Sequence, residues 1–227
     1  MIPNKEAWSG VGCICFDVDS TVCTDEGLDE LARFLKCEDR IELITKQAMN
    51  GELDFRQALT SRLALMKPTK DDISRYLSSK KPSLTEGIDT IVEKLKSNGI
   101  EVYLVSGGFD LLVNPVAASL NLPQENVYSN KLLFADDGSY AGFDTGALTS
   151  KSEGKALVVA ELIERLHTKV VIVGDGMTDA RACPPATHFV GFGVNVDRPS
   201  VRDSTPYFCT SVDQLEQLFQ SVGLIRD

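Results

Sequence analysis

The sequence predicts an α/β fold, a parallel sheet wound with helices on both sides and interrupted by an inserted block of helices. Three observations predict it. Near-continuous apolar runs recur along the chain, as strands buried on both faces require. Helix-period stretches alternate with those runs, and one stretch, between Glu26 and Lys80, has no strand candidate. The chain has 227 residues, 43% of them hydrophobic and 25% charged, so disordered and fibrous classes are excluded. That length suits one full-sized domain with a subdomain set into it.

The first strand is Val11–Val18, VGCICFDV. Cys13 and Cys15 alternate within it as small hydrophobes. With Cys23, Cys37, Cys183 and Cys209 they make six cysteines without a C-x-x-C pair, which read as reduced thiols. The inserted block follows. Leu28, Leu31, Ala32 and Leu35 recur at i, i+3, i+4 and i+7, and Ile41 and Ile44 continue to a stop at Gly51. A third segment carries Phe55, Leu59, Arg62, Leu63 and Met66 and ends at Pro68; Thr69-x-x-Asp72 opens a fourth. The expected organisation is a core of residues 1–25 and 81–227 with a four-helix cap at 26–80.

Beyond the cap, a helix over Glu86–Asn98 leads into the strand Ile100–Val105. A β-hairpin is expected at 131–143, where LLFA and YAGF flank Asp137-Gly138. The helix Glu153–His167, apolar at Leu157, Ala160, Leu162 and Ile163, precedes the strand Lys169–Val173, and His188–Gly191 is the last strand expected.

Charge narrows the partners. Against 23 Lys and Arg stand 33 Asp and Glu, a net charge of −10. Duplex nucleic acid and anionic membrane need cations, so neither is an expected partner. No apolar run approaches the about 18 residues that span a bilayer. The N-terminal stretch lacks the signal-peptide pattern, and the expected location is cytoplasmic.

Four motifs carry chemistry. The first strand ends in Asp17-Val18-Asp19-Ser20-Thr21, placing two carboxylates where open α/β sheets bind ligands. An EF-hand is excluded, because Val22 and Leu28 stand where Gly and Glu are needed. The second strand runs into Ser106-Gly107-Gly108, a hydroxyl and bare backbone that admit an anion close by. Lys155 opens a helix; Thr149 and Ala156 exclude a nucleotide P-loop there. Gly174-Asp175-Gly176-Met177-Thr178-Asp179 follows the run VVIV and suits a hard divalent cation such as Mg²⁺. His167 and His188 have no triad-like context and read as structural. Together the motifs suit phosphoryl transfer to an aspartate, where cations and aligned N–H groups must hold the charge that spreads over the phosphoryl oxygens.

In this order, DVDST, SGG, Lys155 and GDGMTD resemble the motifs of the haloacid-dehalogenase-like phosphohydrolases, and most closely the branch acting on O-phospho-L-serine. The resemblance extends to Met49-x-Gly51-x-x-x-Phe55 with Arg62, and to Gly191-Phe192-Gly193-x-Asn195. It implies a Rossmann-like core with an inserted helical cap. It also implies Asp17 as nucleophile, Asp19 as general acid and then base, and Lys155 bridging Asp17 and the phosphate. One Mg²⁺ per subunit would be held by Asp17, the Asp19 carbonyl and Asp175, with Asp179 supporting its waters. Ser106 and Gly107 would bind the phosphate, Glu26 the substrate ammonium and Arg62 its carboxylate, while Met49, Gly51 and Phe55 line the lid. Thr178 stands where many members have Asn, and Arg198 is a weaker candidate for substrate or cap contact; the role of Asn50 is open. Two alternatives stay open: the same chemistry on another small phosphorylated metabolite, and a phospho-accepting or metal-binding module without turnover. The expected assembly is a monomer or homodimer.

Overall fold

The structure, a computed structural model, describes residues 4–49 and 54–226. Strand β1 (Val11–Phe16) is followed by four helices, α1 (Gly27–Phe34), α2 (Glu38–Met49), α3 (Phe55–Met66) and α4 (Lys70–Ser79). Then come α5 (Ile88–Ser97), β2 (Glu101–Phe109), α6 (Asp110–Ser119), β3 (Val127–Asn130), β4 (Leu132–Phe134) and β5 (Tyr140–Phe143). The chain continues through α7 (Gly154–Leu166), β6 (Lys169–Gly174), α8 (Met177–Ala180), β7 (His188–Phe192), α9 (Pro199–Arg202), β8 (Phe208–Cys209) and α10 (Val212–Val222).

Six strands form one parallel sheet in the order β3-β2-β1-β6-β7-β8, and β4 and β5 form a separate antiparallel hairpin. Period-2 alternation along β1 divides the core. Ile14 and Phe16 pack with Ile88, Val113 and Leu215 on one face of the sheet. Cys13 and Cys15 pack with Val158, Leu162 and Phe189 on the other. All six cysteines are free thiols.

Local chemistry sets the helices of the insertion. Asp54 and Gln57 form a reciprocal capping box on α3, and Thr69 and Asp72 form another on α4; such a cap stabilises a helix by about 1 kcal/mol. The α3 box fixes Phe55 as the first helical residue. Leu31, Ile41, Leu59, Leu63 and Ile73 then gather into a third apolar cluster with Phe109 and Leu132, so the insertion packs on the hairpin and on the end of β2. Its two connections run side by side: Thr24 N–H donates to Ser83 O (2.9 Å) and Thr85 N–H to Val22 O (2.8 Å).

The main departure from the expected elements is β2. Its pairing does not stop at Val105 but resumes at Phe109, opposite Asn130, after a register shift. Asn130 Nδ2 donates to Gly107 O (2.8 Å), which keeps the Ser106-Gly107-Gly108 stretch extended beside β3.

Candidate active site

Asp17 leaves β1 alongside β6, its N–H donating to Val173 O (2.9 Å), and so comes beside Asp175, which follows Gly174 at the end of β6. The Asp17 carboxylate accepts from Val18 N–H (2.7 Å). The chain then turns tightly, with Ser20 in the left-handed region at φ 54°. Asn195 braces that turn, its Nδ2 donating to Ser20 O (3.1 Å) and Thr85 Oγ1 (2.7 Å). Two bonds tie the turn to α1: Gly27 N–H donates to Asp19 Oδ1, and Ser20 Oγ donates to Glu26, both at 2.7 Å.

Lys155, in the first turn of α7, is buried between two acids, 2.8 Å from Asp17 and 2.7 Å from Asp179. Burial alone would lower its pKa, but Asp17 and Asp179 overcome that and hold the ammonium above its ordinary value. Asp179 fits because Gly174 is bare: a Cβ there would lie 2.2 Å from the Asp179 Cγ. Burial, then Glu26 and Asp17, push Asp19 up to about 7, and burial and Asp17 push Asp179 to about 7. Burial and Asp17 also raise Asp175, against the Arg198 guanidinium, whose Nε (3.1 Å) and Nη2 (2.9 Å) both donate to one Asp175 oxygen.

On the other side of Asp17, the buried Ser106 Oγ accepts from Gly108 N–H (2.8 Å) and lies 3.4 Å from Asp19 Oδ2. Above Gly107 lies Phe55: a Cβ on Gly107 would come within 3.0 Å of the Phe55 ring, so α3 closes directly on this stretch. Next to Phe55, Arg56 donates to Ser150 Oγ (3.2 Å), Ser150 O (3.5 Å) and Thr145 O (3.3 Å) of the core.

These walls enclose a cleft of about 430 Å³. Asp17, Asp19, Gly107, Lys155, Asp175 and Thr178 line it from the sheet side, and Glu26, Phe55 and Arg62 from the helical insertion. Ser106 lies just behind Asp19. Arg62 is held by Nη2 donating to Thr45 Oγ1 (2.5 Å), while its buried Nε has no partner among the described residues. Gly51 and Asn50 lie outside the described residues, and of Met49 only its place at the end of α2 is described. Sequence reasoning missed Asn130, Arg56 and Asp29. An asparagine within a short strand and charges on a helix carry no signal of their own. Thr149, whose Oγ1 donates to Asn130 (3.0 Å), was noticed only as a residue excluding a P-loop.

The donor set fits Mg²⁺. Asp17, Asp175 and Asp179 each offer a carboxylate oxygen, these atoms lie within 4.8 Å of one another, and all three residues are buried. Hard oxygen donors suit that ion, and burial first, then the charge of Asp17, raises both Asp175 and Asp179, a cost that a bound cation would relieve.

Comparison with known proteins places the chain in a family. The family model of haloacid dehalogenase-like hydrolases matches residues 14–183. The chain belongs to that family. Within the haloacid dehalogenase-like hydrolases it is 47% identical to the bovine (Bos taurus) phosphoserine phosphatase over 93% of this chain and 94% of that one. It is 44% identical to the human (Homo sapiens) phosphoserine phosphatase over the same shares. A solved structure described as a phospho-aspartyl intermediate analogue of phosphoserine phosphatase superposes with a TM-score of 0.78, at 28% identity, covering 93% of this chain and 99% of that one. A hydrolase with the parallel sheet and hairpin of this fold is therefore established.

Proposed function

We propose that the chain is a Mg²⁺-dependent phosphoserine phosphatase, converting O-phospho-L-serine to L-serine and phosphate through an aspartyl-phosphate. One observation carries the assignment: a single cleft holds a carboxylate–lysine pair on one wall and both Glu26 and Arg62 on the other. Such a cleft complements a phosphate ester at one end and an α-amino acid at the other. The curated relatives support the same substrate.

Asp17 attacks phosphorus as the bond to the serine oxygen breaks. Asp19, raised to about 7, is a protonated acid over part of the neutral range and gives its proton to that leaving oxygen. As a carboxylate it then takes a proton from the water that hydrolyses the aspartyl-phosphate. Lys155 pairs with Asp17 and neutralises charge on the phosphoryl group. Mg²⁺, held by Asp17, the Asp19 carbonyl and Asp175 with Asp179 behind them, would supply Lewis-acid charge stabilisation. Ser106 and Gly107 receive phosphate oxygens, Glu26 the ammonium, and Arg62 the carboxylate by a planar fork that suits it. Phe55 excludes water from the closed cleft. The reaction is the final, dephosphorylating step of a phosphorylated route to serine.

The test is phosphate release with Mg²⁺ over phosphoserine, phosphothreonine, phosphoethanolamine and sugar phosphates, with Asp17→Asn alongside. Phosphoserine should be turned over fastest, and Asp17→Asn should be inactive on every substrate. A sugar phosphate outrunning phosphoserine would overturn the substrate; an active Asp17→Asn would overturn the nucleophile.

A further inference from the structure

Asp29 is a carboxylate out of place. It stands at the third position of α1, three residues after the N-cap Glu26. A carboxylate there ordinarily reaches back to the N-cap N–H, as Asp72 does to Thr69 (2.9 Å) at the start of α4. Asp29 does not. Its Oδ1 is buried with no hydrogen-bond partner among the described residues, and Glu26 makes no cap either, turning instead to Ser20 Oγ. Both acids line the cleft that holds Asp17 and Lys155. They are close enough for Asp29 to help raise the Glu26 carboxyl, after burial and the charges of Asp17 and Asp175.

Arg62 Nε, in the same cleft, is the complementary orphan, a buried guanidinium donor without an acceptor among the described residues. A buried charged atom left unpaired is costly, and a ligand that supplies the partner removes the cost. The orphans have opposite sign, so one small molecule satisfies both only if it carries a cationic donor and an anionic acceptor. An α-amino acid head group does.

Building on the phosphoserine assignment above, we propose that Asp29 is a specificity-determining residue whose Oδ1 receives the substrate α-ammonium together with Glu26. Glu26 has one oxygen committed to Ser20, and a tetrahedral ammonium has three N–H groups to place. Asp29 gives the ammonium a second, fully desolvated acceptor. It also sets a penalty against des-amino phosphates, whose binding leaves that oxygen unpaired next to a second acid.

The test compares kcat/KM for three substrates: phosphoserine, phosphoethanolamine (ammonium, no carboxylate) and 3-phosphooxypropanoate (carboxylate, no ammonium). Wild type should prefer phosphoserine to both truncated compounds. In Asp29→Asn, the preference for phosphoethanolamine over 3-phosphooxypropanoate should fall about tenfold, the scale of one charge-assisted hydrogen bond. The KM for phosphoserine should rise by a similar factor. If wild type shows no preference for phosphoserine, the substrate assignment fails and this proposal with it. If wild type prefers phosphoserine but the variant's ratio is unmoved, Asp29 alone is refuted. A loss confined to the carboxylate-bearing compounds would refute it too, since Asp29 would then act through Arg62. Asp29→Ser, read in the same way, gives the answer should the Asn variant not fold.

Discussion

Lys155 shows how one side chain settles several charges. It lies within 2.8 Å of both Asp17 and Asp179, and without it two buried carboxylates would face each other unscreened. Arg62 lies on the opposite wall of the cleft, its guanidinium bonded among the described residues to Thr45. Its replacement therefore tests substrate recognition apart from chemistry. Arg62→Ala should raise KM for phosphoserine by roughly 30- to 100-fold, the loss of a charged hydrogen-bond pair. The effect on p-nitrophenyl phosphate, which has no carboxylate, should be much smaller; steady-state kinetics on both esters decides, and equal losses would sink the role. At this scale the sequence was most legible where residue type and position coincide. Asp17, Asp19 and Asp175 stand at strand ends, where the sheet must gather them. Asn130 was not legible. Its work is to hold the Gly107 carbonyl, a backbone task that many side chains perform and that no spacing announces.

Among the elements, α3 joins the inserted helices to the cleft at the sheet edge. Its capping box fixes Phe55 over Gly107, and Arg56 grips the 145–150 segment that leads into Lys155. Arg56→Ala should weaken closure by about 1 kcal/mol, read as a roughly fivefold rise in KM with kcat changed less. An unchanged KM would show that Arg56 is not a latch. Strand β1 was legible because burial on both faces leaves a near-continuous apolar run. The edge strands were not: β3 has four residues of mixed polarity, and β8 has only two. Helix α6 also went unread: Pro115 inside it breaks the pattern a helix is expected to show.

Over the whole molecule the net charge is −10, and much of what matters sits in one cluster. Asp19 and Asp179 are raised to about 7, so the folded protein holds their protons more tightly than the unfolded chain does. Their contribution to stability is complete below the ordinary carboxylate range and is lost as pH climbs through 7. The melting temperature of metal-free protein should accordingly fall between pH 5 and pH 8. Saturating Mg²⁺ should remove most of that slope, because bound cation stabilises the ionised forms. Calorimetry with chelator and with Mg²⁺ checks both; a flat metal-free profile would contradict the electrostatic picture of the cluster.

The paired connections at Thr24–Ser83 and Val22–Thr85 carry one more consequence. A chain that departs and returns at the same spot leaves the sheet unchanged whatever lies between. Neither the reach of Asp17 nor its distance from Asp175 depends on how many residues are spliced in at that doorway. On the proposed roles of Glu26 and Arg62, substrate choice and bond cleavage fall on separate lengths of chain. Exchanging that single continuous stretch should change substrate selectivity while Asp17 and Asp175 keep their places at the ends of β1 and β6.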